Sequence, residues 1–149
     1  NLIYFGKDKI VVDPISEFDY SLMLFYTGIT RNADNILSKM NLNKKILDEN
    51  KRFVYEAVSG LSLGLLLDKY WQLKKKLNKL TTTNFIDNLY DKALNSGAIG
   101  GKIVGAGGGG FLLLEVPFSK RQNVRKALGL RELPFKSSKY GSRIIFNIN

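Results

Sequence analysis

Residues 105–110 read Gly-Ala-Gly-Gly-Gly-Gly and satisfy the spacing G-x-G-x-x-G, and they are the part of the sequence best suited to chemistry. Backbone N–H groups freed from side chains can turn into one concavity and hold phosphate oxygens, as anion nests do. A dinucleotide-binding loop needs a helix to open directly after the last glycine, whereas Phe111-Leu112-Leu113-Leu114-Glu115-Val116 reads as a strand. A P-loop needs Lys and then Ser or Thr there, and Phe111-Leu112 supplies neither. What remains is strand, glycine loop, strand, a pattern that suits a phosphate contact, the alternative being a tight hairpin packed under another loop. Asp87 and Asp91, one helical turn apart, could bind a cation or poise a base, although on a basic chain such a pair is more often a solvated face. Neither histidine nor cysteine occurs among the 149 residues. Histidine-based triads, thiol nucleophiles, disulfides and thiolate zinc sites are therefore excluded, and a reducing, cytoplasmic setting is the expected one.

The elements that must carry the loop can be read from periodicity. Residues 2–5 and 10–12 form two short β-favouring runs around a four-residue turn, a hairpin that Pro14 ends. Residues 20–26 are almost continuously apolar, the pattern of a strand buried on both faces. After Thr30, a plausible N-cap, Ala33, Ile36, Leu37 and Met40 fall on one helical face. A second helix is expected over 46–67, with Phe53, Ala57, Leu61 and Leu65 along one stripe. A third runs from 68 to about 80, with Leu73, Leu77 and Leu80 facing inward. Residues 84–95 make a fourth, striped by Phe85, Ile86, Leu89, Tyr90, Ala93 and Leu94 and ended by Ser96-Gly97. Strands over 102–104 and 111–116 flank the glycine loop, a helix follows over 119–128, and short strands over 133–135 and 143–148 complete the order. The fold class is α+β, an antiparallel sheet packed against several helices with the glycine-rich loop between two strands.

Charge widens the search. Lys and Arg number 23 against 13 Asp and Glu, a formal +10 that invites an anionic partner such as nucleic acid, a membrane surface or a phosphorylated metabolite. The cations are scattered from Lys7 to Arg143 and the densest run, Lys74-Lys75-Lys76, is short, which argues against nucleic acid. No stretch of about 18 apolar residues exists to span a bilayer, so no membrane partner is expected. The sequence opens on Asn1-Leu2-Ile3 without an initiator Met or a signal pattern, as a piece of something longer would.

The run GGKIVGAGGGGFLL over 100–113 resembles the third motif of the GHMP small-molecule kinases. LFYTGITR over 24–31, WQLKK over 71–75, and IDNLY over 86–90 leading to Gly97-Ala98 follow the same order as in the D-glycero-D-manno-heptose 7-phosphate kinase branch, so the resemblance covers most of the chain. It implies that residues 1–14 are a hairpin remnant of an N-terminal kinase domain and that 15–149 form the GHMP kinase C-terminal domain. In that family a P-x-x-x-G-L-G-S-S-S-A motif in the N-terminal half holds the ATP phosphates. That motif is absent here, and the family's catalytic Asp would lie upstream of Asn1, so no catalytic residue and no metal ligand is expected in this chain. Gly105, Ala106, Gly107, Gly108 and Gly109 would abut the phosphate-binding loop and the transferred phosphoryl group. Thr27 and Arg31 would sit at the sugar-facing end of the first buried strand, where Arg31 could grip a dianionic phosphate bidentately. Lys102, on the strand entering the loop, and Lys75 are further candidates for substrate phosphate.

The resemblance thus implies the C-terminal part of an ATP-dependent sugar kinase that phosphorylates a heptose 7-phosphate, or a related sugar, at the anomeric hydroxyl. ATP and Mg2+ would serve the complete kinase and neither would bind tightly to this chain alone, which should be inactive. Its partners would be a sugar phosphate and an N-terminal half, in the same polypeptide or as a separate chain. The alternatives are a non-catalytic sugar-phosphate-binding or regulatory module, and a basic nucleic-acid-binding domain, the latter disfavoured because the aromatic residues fall on buried-looking faces.

Overall fold

The computed structural model describes residues 2–13, 21–39 and 44–136. Met40 and the strand expected over 143–148 lie outside the described residues. The hairpin forms as anticipated, β1 (Leu2–Phe5) pairing antiparallel with β2 (Ile10–Asp13) in the register Leu2 to Asp13 and Phe5 to Ile10. Its turn is closed by the Gly6 N–H donating to the Lys9 carbonyl at 2.9 Å. Among the described residues both faces are uncovered: Phe5 is 79% and Ile10 62% exposed on one, Tyr4 46% and Val11 36% on the other.

The second sheet has the order β3-β5-β4, all antiparallel, from β3 (Leu22–Tyr26), β4 (Gly100–Ile103) and β5 (Phe111–Glu115). Phe111 to Val116 alternate along β5 and beyond it, so that Leu112, Leu114 and Val116 are fully buried while Leu113 stands half out. This period of two is what the pleat imposes. β3 follows the same rule: Met23 and Phe25 are buried, but Leu22 and Leu24 are only partly so, and the strand is buried on one face where continuous hydrophobicity suggested two. The outer edge of β3 is covered by the chain at 131–133, through Tyr26 N–H to the Arg131 carbonyl and Leu133 N–H to the Leu24 carbonyl. That single bridge stands in place of the strand expected over 133–135.

Helices pack on the buried face. α3 (Leu63–Leu77) lies against β4, α4 (Asn84–Asn95) against α5 (Arg121–Leu128), and Trp71, Ile86, Leu89, Tyr90, Ala93 and Val124 close over the sheet as one core. α2 (Lys44–Val58) stacks on α3 through a smaller cluster of Phe53, Leu66 and Leu73. The break between these helices falls at Gly60, whose φ of +92° suits glycine, and not at residue 67 where the stripe seemed to end. Leu65, Leu80 and Phe85, expected inside, are 44%, 45% and 49% exposed: Leu65 because α3 starts at Leu63 with its own phase, Leu80 because it falls in a 3₁₀ turn beyond the end of α3, and Phe85 in the first turn of α4. α1 (Ala33–Leu37) is one short turn capped by Asn32, whose side-chain oxygen accepts from Asp34 N–H at 2.9 Å, two residues beyond the Thr30 cap read from sequence. 3₁₀ turns at Lys79–Thr81 and Phe118–Lys120 link α3 to α4 and β5 to α5. Among the described residues no helix is long and apolar enough to cross a membrane.

Candidate functional site

The glycine loop leaves β4 and returns as β5, with the Val104 N–H bonded to the Phe111 carbonyl at its base. Two of its amides point into the protein. The Gly108 N–H donates to the Thr81 carbonyl, and the Gly110 N–H to the Ile29 carbonyl at 2.7 Å. The Gly110 carbonyl in turn accepts from both the N–H (2.9 Å) and the hydroxyl (2.8 Å) of Thr27. The loop is thus stapled to the segment after β3 on one side and to the turn after α3 on the other. Glycine is obligatory in that clamp: a Cβ on Gly107 would stand 2.6 Å from the Thr81 carbonyl oxygen, and one on Gly109 2.6 Å from that of Ile29.

The remaining loop amides, those of Gly105, Ala106, Gly107 and Gly109, have no hydrogen-bond partner among the described residues. Ala106, Gly107 and Gly109 line a cleft of about 300 Å³ together with Ile29 and Arg31. Alternate amides over residues 107–110 are thus spent on holding the loop, while those of Gly107 and Gly109 stay unclaimed in residues that line the cleft. Arg31 is exposed and makes no ion pair among the described residues. It also borders a second hollow of about 500 Å³, whose wall carries Thr30, Asn32, Lys39, Thr82 and Thr83. Arg31 thus sets a guanidinium between two polar hollows and near free N–H groups, donors of the kind an oxyanion accepts from.

The other residues picked from sequence are placed as follows. Thr27 is buried, and its hydroxyl is committed to Gly110. Lys75 bonds Asp87 at 3.2 Å and lies over the Trp71 ring at 5.9 Å; Asp87 also accepts from the Thr82 hydroxyl at 3.0 Å. Asp91 is exposed and takes no part in that cluster, so the two aspartates do not act as a pair. Lys102 stands over the Tyr70 ring at 4.5 Å, and burial holds its ammonium below the usual lysine range.

One residue escaped the sequence reading. Lys74 is 4% exposed, and its ammonium donates to the Gly105 carbonyl at the mouth of the loop. Burial first, and the positive charge of Lys102 second, push it down to about 8. Its position one turn after Trp71 was a readable signal, since i and i+3 share a helix face and Trp71 is fully buried. Among the described residues no three acidic side chains gather to hold a metal ion. Free amides and an arginine without an ion-pair partner among the described residues are donors of the kind that phosphate oxygens accept from.

The domain is a strand, a glycine loop and a strand under a helical layer, with loop amides left unclaimed in residues that line a cleft. The chain belongs to the GHMP kinases: the family described as GHMP kinases C terminal matches residues 31–133. It is 28% identical over 145 residues to a D-glycero-alpha-D-manno-heptose 7-phosphate kinase of Campylobacter jejuni, covering 84% of this chain and 42% of that protein. An L-fucokinase/L-fucose-1-P guanylyltransferase of Bacteroides fragilis is 32% identical over 127 residues, covering 76% of this chain and 13% of that protein. In fold it is similar to the L. major mevalonate kinase structure, with a TM-score of 0.71 at 20% identity over 85% of this chain and 43% of that one. The chain spans less than half the length of these proteins.

Proposed function

We propose that this chain is the C-terminal half of an ATP-dependent sugar kinase and that it presents the loop of Gly105, Ala106, Gly107, Gly108 and Gly109 to the phosphoryl group in transit. The observation that carries the reading is the set of unclaimed amides at Ala106, Gly107 and Gly109, on a cleft that Arg31 shares. Phosphoryl transfer is mostly positioning and charge stabilisation, and fixed N–H donors beside a guanidinium contribute both. ATP with Mg2+ supplies the γ-phosphoryl group; the residues of this chain meet its oxygens and orient the acceptor. The second hollow, with Arg31 and Lys39 on its wall, suits the phosphate of an acceptor that is itself phosphorylated, which favours a heptose 7-phosphate. The Bacteroides fragilis relative is named for a 1-phosphate, which supports the anomeric hydroxyl as the acceptor. Thr27 holds the end of the loop, Lys102 adds positive charge on the strand entering it, and the charge of Lys75 is offset by Asp87.

The N-terminal half, with the ATP-binding motif and the base, would come from the same polypeptide or a separate chain in the cytoplasm. Residues 1–14 belong with that half: an isolated two-stranded hairpin is marginal in water, and this one leaves Ile3, Phe5, Ile10 and Val12 uncovered.

The test is to express the open reading frame that carries this sequence, with all that precedes it in frame, and supply ATP, Mg2+ and D-glycero-D-manno-heptose 7-phosphate. The expected result is a new 31P resonance coupled to the anomeric proton. Turnover of L-fucose in its place would move the acceptor to an unphosphorylated sugar. Binding of the heptose phosphate with no turnover, even with the N-terminal half supplied, would make the chain a regulatory module instead.

A further inference from the structure

Lys74 is a costly residue in its place. The residue is buried, no carboxylate pairs with it among the described residues, and the charged residue of β4 is another cation, Lys102. A buried ammonium without a counter-ion normally gives way to an apolar residue of similar volume, because its desolvation exceeds what one neutral acceptor returns. The acceptor it has is the Gly105 carbonyl. In a trans peptide the C=O of one residue and the N–H of the next point in opposite directions, and no cis bond occurs among the described residues. Drawing the Gly105 oxygen towards α3 therefore turns the Ala106 N–H to the other side, and Ala106 lines the cleft with that N–H unclaimed. A flip of that peptide, which would put an oxygen in the cleft instead, turns ψ of Gly105 and φ of Ala106; Gly105 has no Cβ to oppose it, and the Ala106 methyl is the one local steric restraint.

We propose that Lys74 is a positioning residue for the glycine loop, holding the Gly105–Ala106 peptide so that the loop offers N–H donors, and not a carbonyl, to an anion in the cleft. The proposal rests on the reading of the loop as a phosphate contact, and adds to it the group that sets the loop's polarity. An anion there would also supply the negative charge that Lys74 and Lys102 lack. The titratable groups on the elements round Lys74 include Lys102 over Tyr70, the Lys75 and Asp87 pair, Asp68 bound to Tyr90, Glu56 with Lys69, and Lys79 beyond the helix end; Lys76 on the same helix is exposed. Glu115 is engaged by Ser62 and Gly64 at the opposite end of α3. The loop itself brings no ionisable group.

The experiment compares the 149-residue chain with its Lys74→Met variant by 15N and 13C spectra of the loop, with sodium tripolyphosphate as the probe. Lys76→Met, at an exposed position on the same helix, controls for loss of one positive charge. In Lys74→Met the Gly105 carbonyl and Ala106 amide signals should move before any probe is added. Tripolyphosphate affinity should fall about tenfold, with the urea midpoint unchanged or raised, whereas Lys76→Met should do neither. A purely structural lysine would do the reverse, lowering the midpoint and leaving affinity alone. Should Met lower the midpoint, the parent chain decides without mutation: its Gly105 carbonyl signal should titrate with a midpoint near 8. Gly105 and Ala106 signals that ignore both the substitution and the titration overturn the proposal, whatever the probe does. Loop amides that respond to Lys74→Met but not to tripolyphosphate would refute the phosphate reading and leave the anchor in place.

Discussion

Gly64 in the first turn of α3 lies directly on Gly100 at the start of β4, backbone against backbone. A Cβ on Gly64 would stand 2.7 Å from the Glu115 Cβ and 3.2 Å from the Gly100 nitrogen, and one on Gly100 would meet the Gly64 carbonyl and the Asp68 side chain. The Glu115 carboxylate reaches from the central strand to the same spot, where it accepts from the Ser62 hydroxyl at 2.7 Å and from the Gly64 N–H. It does the work of an N-cap side chain from a different element, with the helix dipole in its favour. This contact brings α3 close enough for Lys74, nearly three turns on, to reach the mouth of the glycine loop.

Replacing Gly100 by Ala should cost about 3 kcal/mol, because the added methyl has backbone and not a flexible side-chain end in its way. Urea unfolding reads the loss directly. A change below about 1 kcal/mol would mean that α3 can lift from β4 freely.

Gly108 has φ +72°, and a Cβ there would lie 2.9 Å from both the Leu80 carbonyl oxygen and Ile36 Cδ1. In a kinase carrying this region, Gly108→Val should lower kcat about a hundredfold through a displaced loop, well beyond its effect on unfolding. Equal losses in activity and stability would mark the loop as structural.

Tyr90 caps the open edge of β4. Its hydroxyl donates to Asp68 at 2.7 Å and accepts from the Gly101 N–H at 3.1 Å, and burial with the Asp68 carboxylate holds it in the protonated form. Tyr90→Phe should remove about 1–3 kcal/mol and speed amide exchange at Gly101. Unaltered exchange at that amide would show that another group protects the edge.

Lys74 also sets a pH dependence whose sign follows from its depressed value. Between about 8 and its ordinary 10.5 the unfolded chain binds the proton that the folded chain has shed, so stability contributed by this residue rises with pH across that window. Below pH 8 both states are charged and the full burial cost is present. The parent chain should therefore gain on the order of 2–3 kcal/mol relative to Lys74→Met between pH 7 and pH 10.5 in urea titrations. Parallel curves for the two proteins would place the ammonium in solvent.

Arg31 and Lys75 separate two kinds of cation. Arg31 has no ion-pair partner among the described residues and lines both hollows, while Lys75 is held by Asp87. Arg31→Ala should weaken tripolyphosphate binding by about tenfold and leave the unfolding midpoint in place. Lys75→Met should change affinity less than threefold, since its charge is already offset. The opposite ranking would shift the anion to the Trp71 side of the loop.

Much of this was legible in the sequence. The period of two around Phe111, the stripe over residues 84–95, and the glycine run between two strands point to an α+β domain with a bare-backbone loop, because pattern and composition depend only on neighbours along the chain. The motifs pointed to the GHMP kinases for the same reason. Other features depend on contacts between distant segments. The α2–α3 break went unread because a four-residue stripe runs through Gly60 unbroken, and only the packing of Gly64 on Gly100 sets the phase of the second helix. Which loop amides are spent and which are free follows from Thr81 and Ile29, carbonyls that carry no sequence signal. Lys74, in a lysine run that reads as solvated, is buried because α3 lies flat on β4; the sequence by itself determined the elements and the family, and the tertiary contacts alone decided which lysine faces the loop.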